Sequence, residues 1–93
     1  MGGLDWEDLL AQALGNKIRI RIIRYLLERK GANVSRISRE LGIPYTSAKR
    51  NLKALSDAGV LEEISVGRAR LYKLSDSEVV RRLILCVIGY SSH

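Results

Sequence analysis

The stretch that decides the fold covers residues 35–52, SRISRELGIPYTSAKRNL, in a chain of 93 residues. Its first part predicts a short helix over 35–41, with Ser35 in a position to cap the N-terminus. The three residues 42–44 read Gly-Ile-Pro and predict a tight turn, because proline lacks the N–H that would continue a helix. A second helix is predicted over 45–58.

The second helix has two faces of opposite character. Thr46, Arg50 and Lys53 share one face, while apolar residues occupy the other. Small Ser38 permits a close crossing of the two helices. The apolar residues expected between them are Ile37, Leu41, Ile43, Ala48 and Leu52. Two helices joined by a three-residue turn, the second with a basic face, are typical of a helix-turn-helix motif. The pattern alone leaves a plain helical hairpin as the alternative.

Two further helices are predicted before this motif, over 4–14 and 17–29. In the second of them, Ile and Arg alternate over residues 18–22 as they would in a strand. Its length favours a helix, and apolar residues also recur there at helical spacing. Asn16 is suited to begin this helix and Gly31 to follow its end.

A hairpin and a last helix are predicted after the motif. Strands over 60–64 and 69–74 flank a short connection that contains glycine. The last helix covers 76–88, and Ser75 and Glu78 form a capping box at its start. The predicted fold is therefore mainly α with a small β-hairpin wing, in the order α-α-α-α-β-β-α.

Length and charge limit the class of protein. The chain is long enough for one domain, 1–93. Sixteen Lys and Arg against ten Asp and Glu give a net charge of +6, which suits a polyanionic partner. The longest apolar run, residues 83–88, is too short to cross a membrane. The acidic N-terminus lacks the pattern of an export signal, so we expect a cytoplasmic protein that does not associate with membranes.

No catalytic or metal-binding set is recognisable in the sequence. The single histidine, His93, is the last residue, and the single cysteine, Cys86, cannot form an internal disulfide. A carboxylate pair, a nucleophile with its base and a glycine-rich phosphate loop are all missing from the sequence. We therefore expect neither enzymatic activity nor a metal or other cofactor.

Four segments resemble the winged helix-turn-helix transcription regulators of the ArsR-like and MarR-like kind. They are residues 15–23 (GNKIRIRII), 41–43 (LGI), 52–62 (LKALSDAGVLE) and 72–74 (YKL). The resemblance implies that the helix over 45–58 lies in the major groove of double-stranded DNA. A B-DNA major groove, about 12 Å wide, accepts one helix, which agrees with the two-faced pattern.

The DNA-contacting residues expected on this helix are Tyr45, Thr46, Ser47, Lys49, Arg50 and Lys53. Arg50 is suited to a bidentate contact with guanine, and Lys53 to a phosphate contact. Tyr45 has packing on the core as an alternative. Arg68 and Arg70 flank the tip of the wing over 64–70, which the resemblance implies contacts the minor groove or backbone. The alternative is two solvated arginines on a hairpin edge.

The first and last helices, within 1–15 and 75–93, carry more apolar surface than a small domain readily covers, which predicts a homodimer. The expected interface residues are Leu4, Trp6, Leu10, Val80, Leu83, Ile84 and Val87. The alternative is that the two helices pack on each other within one chain. A twofold dimer would present its recognition helices about 34 Å apart.

The sequence as a whole predicts a homodimeric, sequence-specific transcription regulator that binds double-stranded DNA. Two other functions remain open at this point. One is a winged-helix module for protein–protein interaction within larger machinery, and the other is a non-specific architectural DNA-binding protein.

Overall fold

The computed structural model of the chain describes residues 16–78, 80–82 and 84–85. Three helices precede an antiparallel hairpin, namely α1 (Lys17–Leu27), α2 (Val34–Leu41), α3 (Tyr45–Asp57), β1 (Leu61–Val66) and β2 (Ala69–Leu74). Residues 78, 80–82 and 84–85 are helical too. The predicted fold class, mainly α with a hairpin wing, is confirmed. The helix predicted over 4–14 and the end of the last helix lie outside the described residues.

Helix α1 begins where Asn16 caps it. The side-chain oxygen of Asn16 accepts a hydrogen bond from the backbone N–H of Ile18, at 2.8 Å. The helical prediction for this segment is confirmed, and the strand-like alternation of Ile and Arg instead places Ile20, Ile22 and neighbouring apolar residues in the core. The helix ends at Leu27, two residues earlier than predicted.

Helix α2 is capped by Asn33, so the prediction that Ser35 caps it was wrong. The Asn33 side-chain oxygen accepts from the N–H of Arg36 at 2.8 Å, and Asn33 has extended backbone angles. The cap lies early because the preceding residue, Ala32, pairs with Tyr72 of β2 through two backbone hydrogen bonds of 2.9 and 3.1 Å. This pairing holds the chain extended up to Asn33.

The wing is a regular hairpin with a two-residue turn. Its register runs from Leu61 opposite Leu74 to Val66 opposite Ala69. Strand β1 therefore covers residues 61–66 rather than the predicted 60–64, and only Gly67 and Arg68 remain in the turn. Gly67 has a φ of 61°, a conformation that glycine adopts without strain.

The start of the last helix also differs from the prediction. The predicted capping box of Ser75 and Glu78 was wrong, because the hydroxyl of Ser77 accepts the N–H of Val80 at 3.2 Å. Ser75 instead extends the hairpin region, donating its backbone N–H to the carbonyl of Val60 at 3.0 Å. Val80 is only 1% exposed in the single chain, so its side chain is covered without a second subunit.

The core lies between the three helices and the base of the hairpin. Its fully buried side chains include Ile22 and Ile23 of α1, Ile37 of α2 and Leu52 of α3. Of the apolar residues expected between the helices of the motif, Ile37, Ile43, Ala48 and Leu52 are buried and Leu41 is half-buried. This packing braces α3 from behind and leaves its opposite face outside the core.

Candidate nucleic-acid interface

The turn between α2 and α3 is held by a reciprocal pair of hydrogen bonds. The hydroxyl of Ser38 donates to the carbonyl of Ile43 at 2.6 Å, and the N–H of Ile43 donates to the carbonyl of Ser38 at 3.0 Å. Gly42 between them has a φ of 68° and ends α2 in the left-handed conformation. Sequence reasoning selected Ser38 for its small size alone and missed its hydrogen bond, which fixes where α3 begins.

The outward face of α3 carries the predicted cations. Lys49, Arg50 and Lys53 are exposed, as is Thr46, while Ser47 is half-buried. Tyr45 is 49% exposed, so it does not pack in the core. Among the described residues, Lys49 and Arg50 have no ion-pair partner, and Lys53 has only Asp57, whose carboxylate oxygen is 3.6 Å from its Nζ. This face is therefore an accessible cationic surface in the single chain.

A buried amide fixes the inner side of the same helix. Asn51 is 3% exposed, and its side-chain oxygen accepts from Nδ2 of Asn16 at 3.2 Å and from Nε of Arg19 at 3.0 Å. Its side-chain nitrogen donates to the carbonyl of Ser47 at 2.8 Å. The amide thus ties α3 to the start of α1, and removing it would take away the acceptor that two half-buried donors share.

Sequence reasoning missed this role of Asn51. The available signal was a polar residue on the apolar face of α3, directly before Leu52. Its partners Asn16 and Arg19 are more than thirty residues away along the chain, so the sequence pattern did not reveal the contact.

The wing presents its two arginines differently. Arg68 is exposed in the turn and has no partner among the described residues. Arg70 lies 3.4 Å from the carboxylate of Glu63, to which the hydroxyl of Tyr72 also donates at 3.2 Å. Burial, with a contribution from Glu63, raises the pKa of Tyr72 above its usual value, so this phenol remains a neutral donor. The tip of the wing therefore carries Arg68, which has no partner among the described residues, and strand β2 carries Arg70, which is ion-paired with Glu63.

Four of the predicted DNA-contacting residues surround one cleft. Tyr45 and Lys49 of α3 face Arg68 and Arg70 of the wing across a space of about 300 Å³, and Ser35 of α2 lines it too. Three cationic side chains and two hydroxyls are suited to an anionic, hydrogen-bonding ligand such as a phosphate backbone. Thr46, Arg50 and Lys53 lie outside this cleft.

Helix α2 is held on α1 by a cluster around Glu40. The hydroxyl of Tyr25 donates to one carboxylate oxygen at 2.7 Å, and Nε of Arg36 donates to the other at 3.0 Å. The guanidinium of Arg29 lies over the Tyr25 ring, 3.9 Å from its centroid. The hydrogen bond from Tyr25, followed by that from Arg36, holds the pKa of Glu40 below its usual range. Glu40 is thus an ionised anchor between the two helices.

Residues 16–78, 80–82 and 84–85 contain no group of three or more His, Cys, Asp or Glu side chains that could hold a metal ion. No described helix is long and apolar enough to span a bilayer.

Comparison with known families agrees with this geometry. The model of a family described as "Helix-turn-helix domain" matches residues 14–64, more than half of the chain. The chain belongs to this helix-turn-helix family. The matched segment includes α1, both helices of the motif and the first part of β1, which are the elements that position the outward face of α3.

Individual relatives point the same way. The chain is 29% identical over 90 residues to the HTH-type transcriptional regulator Rv0324 of Mycobacterium tuberculosis, and the match covers 97% of the chain but only 39% of that relative. The chain therefore spans about two fifths of the length of this curated relative.

Solved structures extend the likeness to three dimensions. One is the homodimeric winged helix-turn-helix DNA-binding domain Mb0332 from Mycobacterium bovis, described as a possible ArsR-family transcriptional regulator. Its TM-score against this chain is 0.79 at 25% sequence identity, and the match covers 100% of this chain and 93% of that one. Another is the antimony-specific transcriptional repressor AntR, with a TM-score of 0.70, 26% identity and coverage of 90% and 78%. The chain thus has the winged helix-turn-helix fold of these transcription-regulator structures.

Proposed function

We propose that the chain acts as a homodimeric, sequence-specific regulator of transcription, with α3 in the major groove of double-stranded DNA and the wing on the minor groove or backbone. The observation that carries this proposal is the accessible face of α3, where Lys49 and Arg50 have no ion-pair partner among the described residues and Lys49 faces Arg68 of the wing across one cleft. A helix that is braced by a core on one side and cationic on the other is suited to enter the groove.

The residues of α3 divide into two roles. Arg50 and Thr46 lie on the outward face in the N-terminal half of the helix, and we assign them to base edges. We assign Lys53, one turn further on, to a phosphate. Its ion pair with Asp57 is exposed on both sides, and such pairs contribute only about 0–1 kcal/mol, so a phosphate can replace the carboxylate.

The wing adds a second point of contact. Arg68, free in the turn, is suited to a narrow minor groove, whose negative potential attracts arginine. Arg70 is held by Glu63 on the side of the cleft, so we assign it to the backbone instead. Tyr45 and Ser47 complete the set as hydrogen-bond donors near the phosphates.

The homodimer is supported by the Mycobacterium bovis domain, which is described as homodimeric. In this chain Ile84 is half-buried and the adjacent Leu85 is 69% exposed, so the last helix presents apolar surface. The other proposed interface residues, Leu4, Trp6, Leu10, Leu83 and Val87, lie outside the described part of the chain. A twofold dimer would read two half-sites about 34 Å apart. We propose that it does so in the cytoplasm.

Equilibrium binding to DNA at several salt concentrations tests the proposal. A dimer that contacts about eight phosphates predicts a log–log slope near −7. Selection from a random duplex library is expected to yield a site preferred at least about 10³-fold over random sequence. The slope without the preference would indicate an architectural protein, and the absence of both would indicate a protein-interaction module. Either result would contradict the proposal.

A further inference from the structure

The largest excess of positive charge lies ahead of the recognition helix rather than on it. Residues 17–43 contain eight Lys and Arg and two Glu, whereas residues 45–74 contain six and three. On α1 three of these cations, Lys17, Arg21 and Arg24, recur at a spacing of four and then three residues, so they lie on one face of the helix. All three are exposed.

This cationic face of α1, defined by Lys17, Arg21 and Arg24, reaches the end of α2, next to the turn that leads into α3. The guanidinium of Arg21 donates a hydrogen bond to the carbonyl of Leu41, the last residue of α2. Only the three residues of the turn separate Leu41 from Tyr45, where α3 begins. Arg21, on the cationic face of α1, therefore lies at the end of α2, with only the turn between it and the start of α3.

A cleft of about 290 Å³ lies between α1 and the end of α2. It is lined by Arg21, Arg24, Tyr25, Glu28, Arg29 and Leu41. Arg21 and Arg29 are oriented by contacts within the chain, the first to Leu41 and the second to Tyr25 and Glu40. Arg24 has no hydrogen-bond or ion-pair partner among the described residues, although Glu28 follows it by one helical turn. Three guanidinium groups thus face a single carboxylate.

We propose that the cationic face of α1 is a second phosphate-contacting surface, which binds the backbone of the same duplex beyond the groove that α3 occupies. This inference rests on the proposed function. Arginine favours phosphate because its planar donors match two phosphate oxygens at once. An acidic protein partner is the competing occupant, and the position of Arg21 beside the turn that leads into α3 favours DNA.

The test compares short and long random-sequence duplexes, of about 16 and about 40 base pairs, at several salt concentrations. The variants are Arg24→Gln and, independently, Lys17→Gln, each checked for folding by its thermal transition. The matched control is Arg82→Gln, which removes an exposed arginine of the last helix, outside α1. Each variant is compared with wild type on the same duplex. The larger number of binding positions on long DNA therefore affects both proteins equally and does not change the difference between them.

On the long duplex, each α1 variant is expected to make the log–log salt slope shallower by about 1 per protomer, since one phosphate contact is lost. On the short duplex both variants are expected to match wild type. Slopes on the long duplex equal to those of Arg82→Gln would overturn the inference and leave an acidic protein surface as the occupant. Failure of wild-type protein to bind either duplex would instead reject the proposed function, so the two failures are distinguishable.

Discussion

The side-chain oxygen of Asn51 lies 3.0 Å from Nε of Arg19, and this contact joins the middle of α3 to the first turn of α1. Asn16, which caps α1, donates to the same oxygen. Asn16 and Arg19, at the start of α1, therefore share one buried acceptor on α3. A helix whose outward face must match a groove depends on such an inner attachment.

Replacing Asn51 with Leu is expected to lower the free energy of unfolding by about 1–3 kcal/mol. Leucine has a similar volume, but it leaves the donors of Asn16 and Arg19 without their acceptor. Chemical denaturation measures the change. Arg50→Gln, at the adjacent exposed position, is the control and is expected to stay within about 0.5 kcal/mol of wild type. Equal free energies of unfolding for the two variants would show that the hydrogen bonds of Asn51 do not contribute to the stability of the fold.

Replacing Arg50 with Ala is expected to cost about 1–3 kcal/mol of binding on a selected site and to relax base preference at one position, because a bidentate base contact is lost. Lys53→Ala is the matched comparison on the same face, and it is expected to weaken all sequences alike and to reduce the salt slope by about 1. Competition binding with selected and random duplexes measures both. Equal losses on every sequence for Arg50→Ala would reassign Arg50 to a phosphate.

Replacing Gly42 with Ala is expected to destabilise the fold by about 1–2 kcal/mol. A side chain there meets open space, so the cost comes from the left-handed backbone with a φ of 68° rather than from a clash. Thermal unfolding measures the change. Gly42→Asn is the control, since asparagine tolerates this conformation better, and it is expected to lose less than Gly42→Ala. A larger loss of stability for Gly42→Asn than for Gly42→Ala would show that the cost does not come from the left-handed backbone.

The lowered pKa of Glu40 predicts a dependence of stability on pH. Its contribution is present above the ordinary value of a glutamate, near 4.5, and is lost as the pH falls through the lower pKa of the folded state. Tyr25→Phe removes the hydrogen bond that contributes most to this shift. The variant is therefore expected to lose less stability than wild type between about pH 6 and about pH 3. Denaturation at each pH measures the difference, and parallel curves would contradict the assigned cause.

Much of the fold was predictable because its signals are local. The turn at Gly42, the apolar positions of α3 and the hairpin each depend on residues close in sequence. The caps were less predictable, since Asn33 and Ser35 are both suitable capping residues and only the pairing of Ala32 with Tyr72 selects the first. In the same way, the backbone contact of Ser75 with Val60 moves the last cap to Ser77.

The candidate site was predictable only in part, for the same reason. The outward residues of α3 were predictable from helical spacing, because exposure follows from which face the core covers. The cleft that joins Lys49 to Arg68 depends on how the wing folds back beside α3, and the pairing of Arg70 with Glu63 depends on the register of the two strands of the wing. Periodicity encodes neither the packing of the wing nor its register.

The most direct test of the account is a backbone-amide NMR titration of the protein with double-stranded DNA, because it reports which surface meets the duplex. The account predicts that the largest shifts fall in the N-terminal half of α3, at Thr46, Lys49 and Arg50, and at Arg68 in the wing. Saturable binding that leaves these four amides unchanged would contradict it.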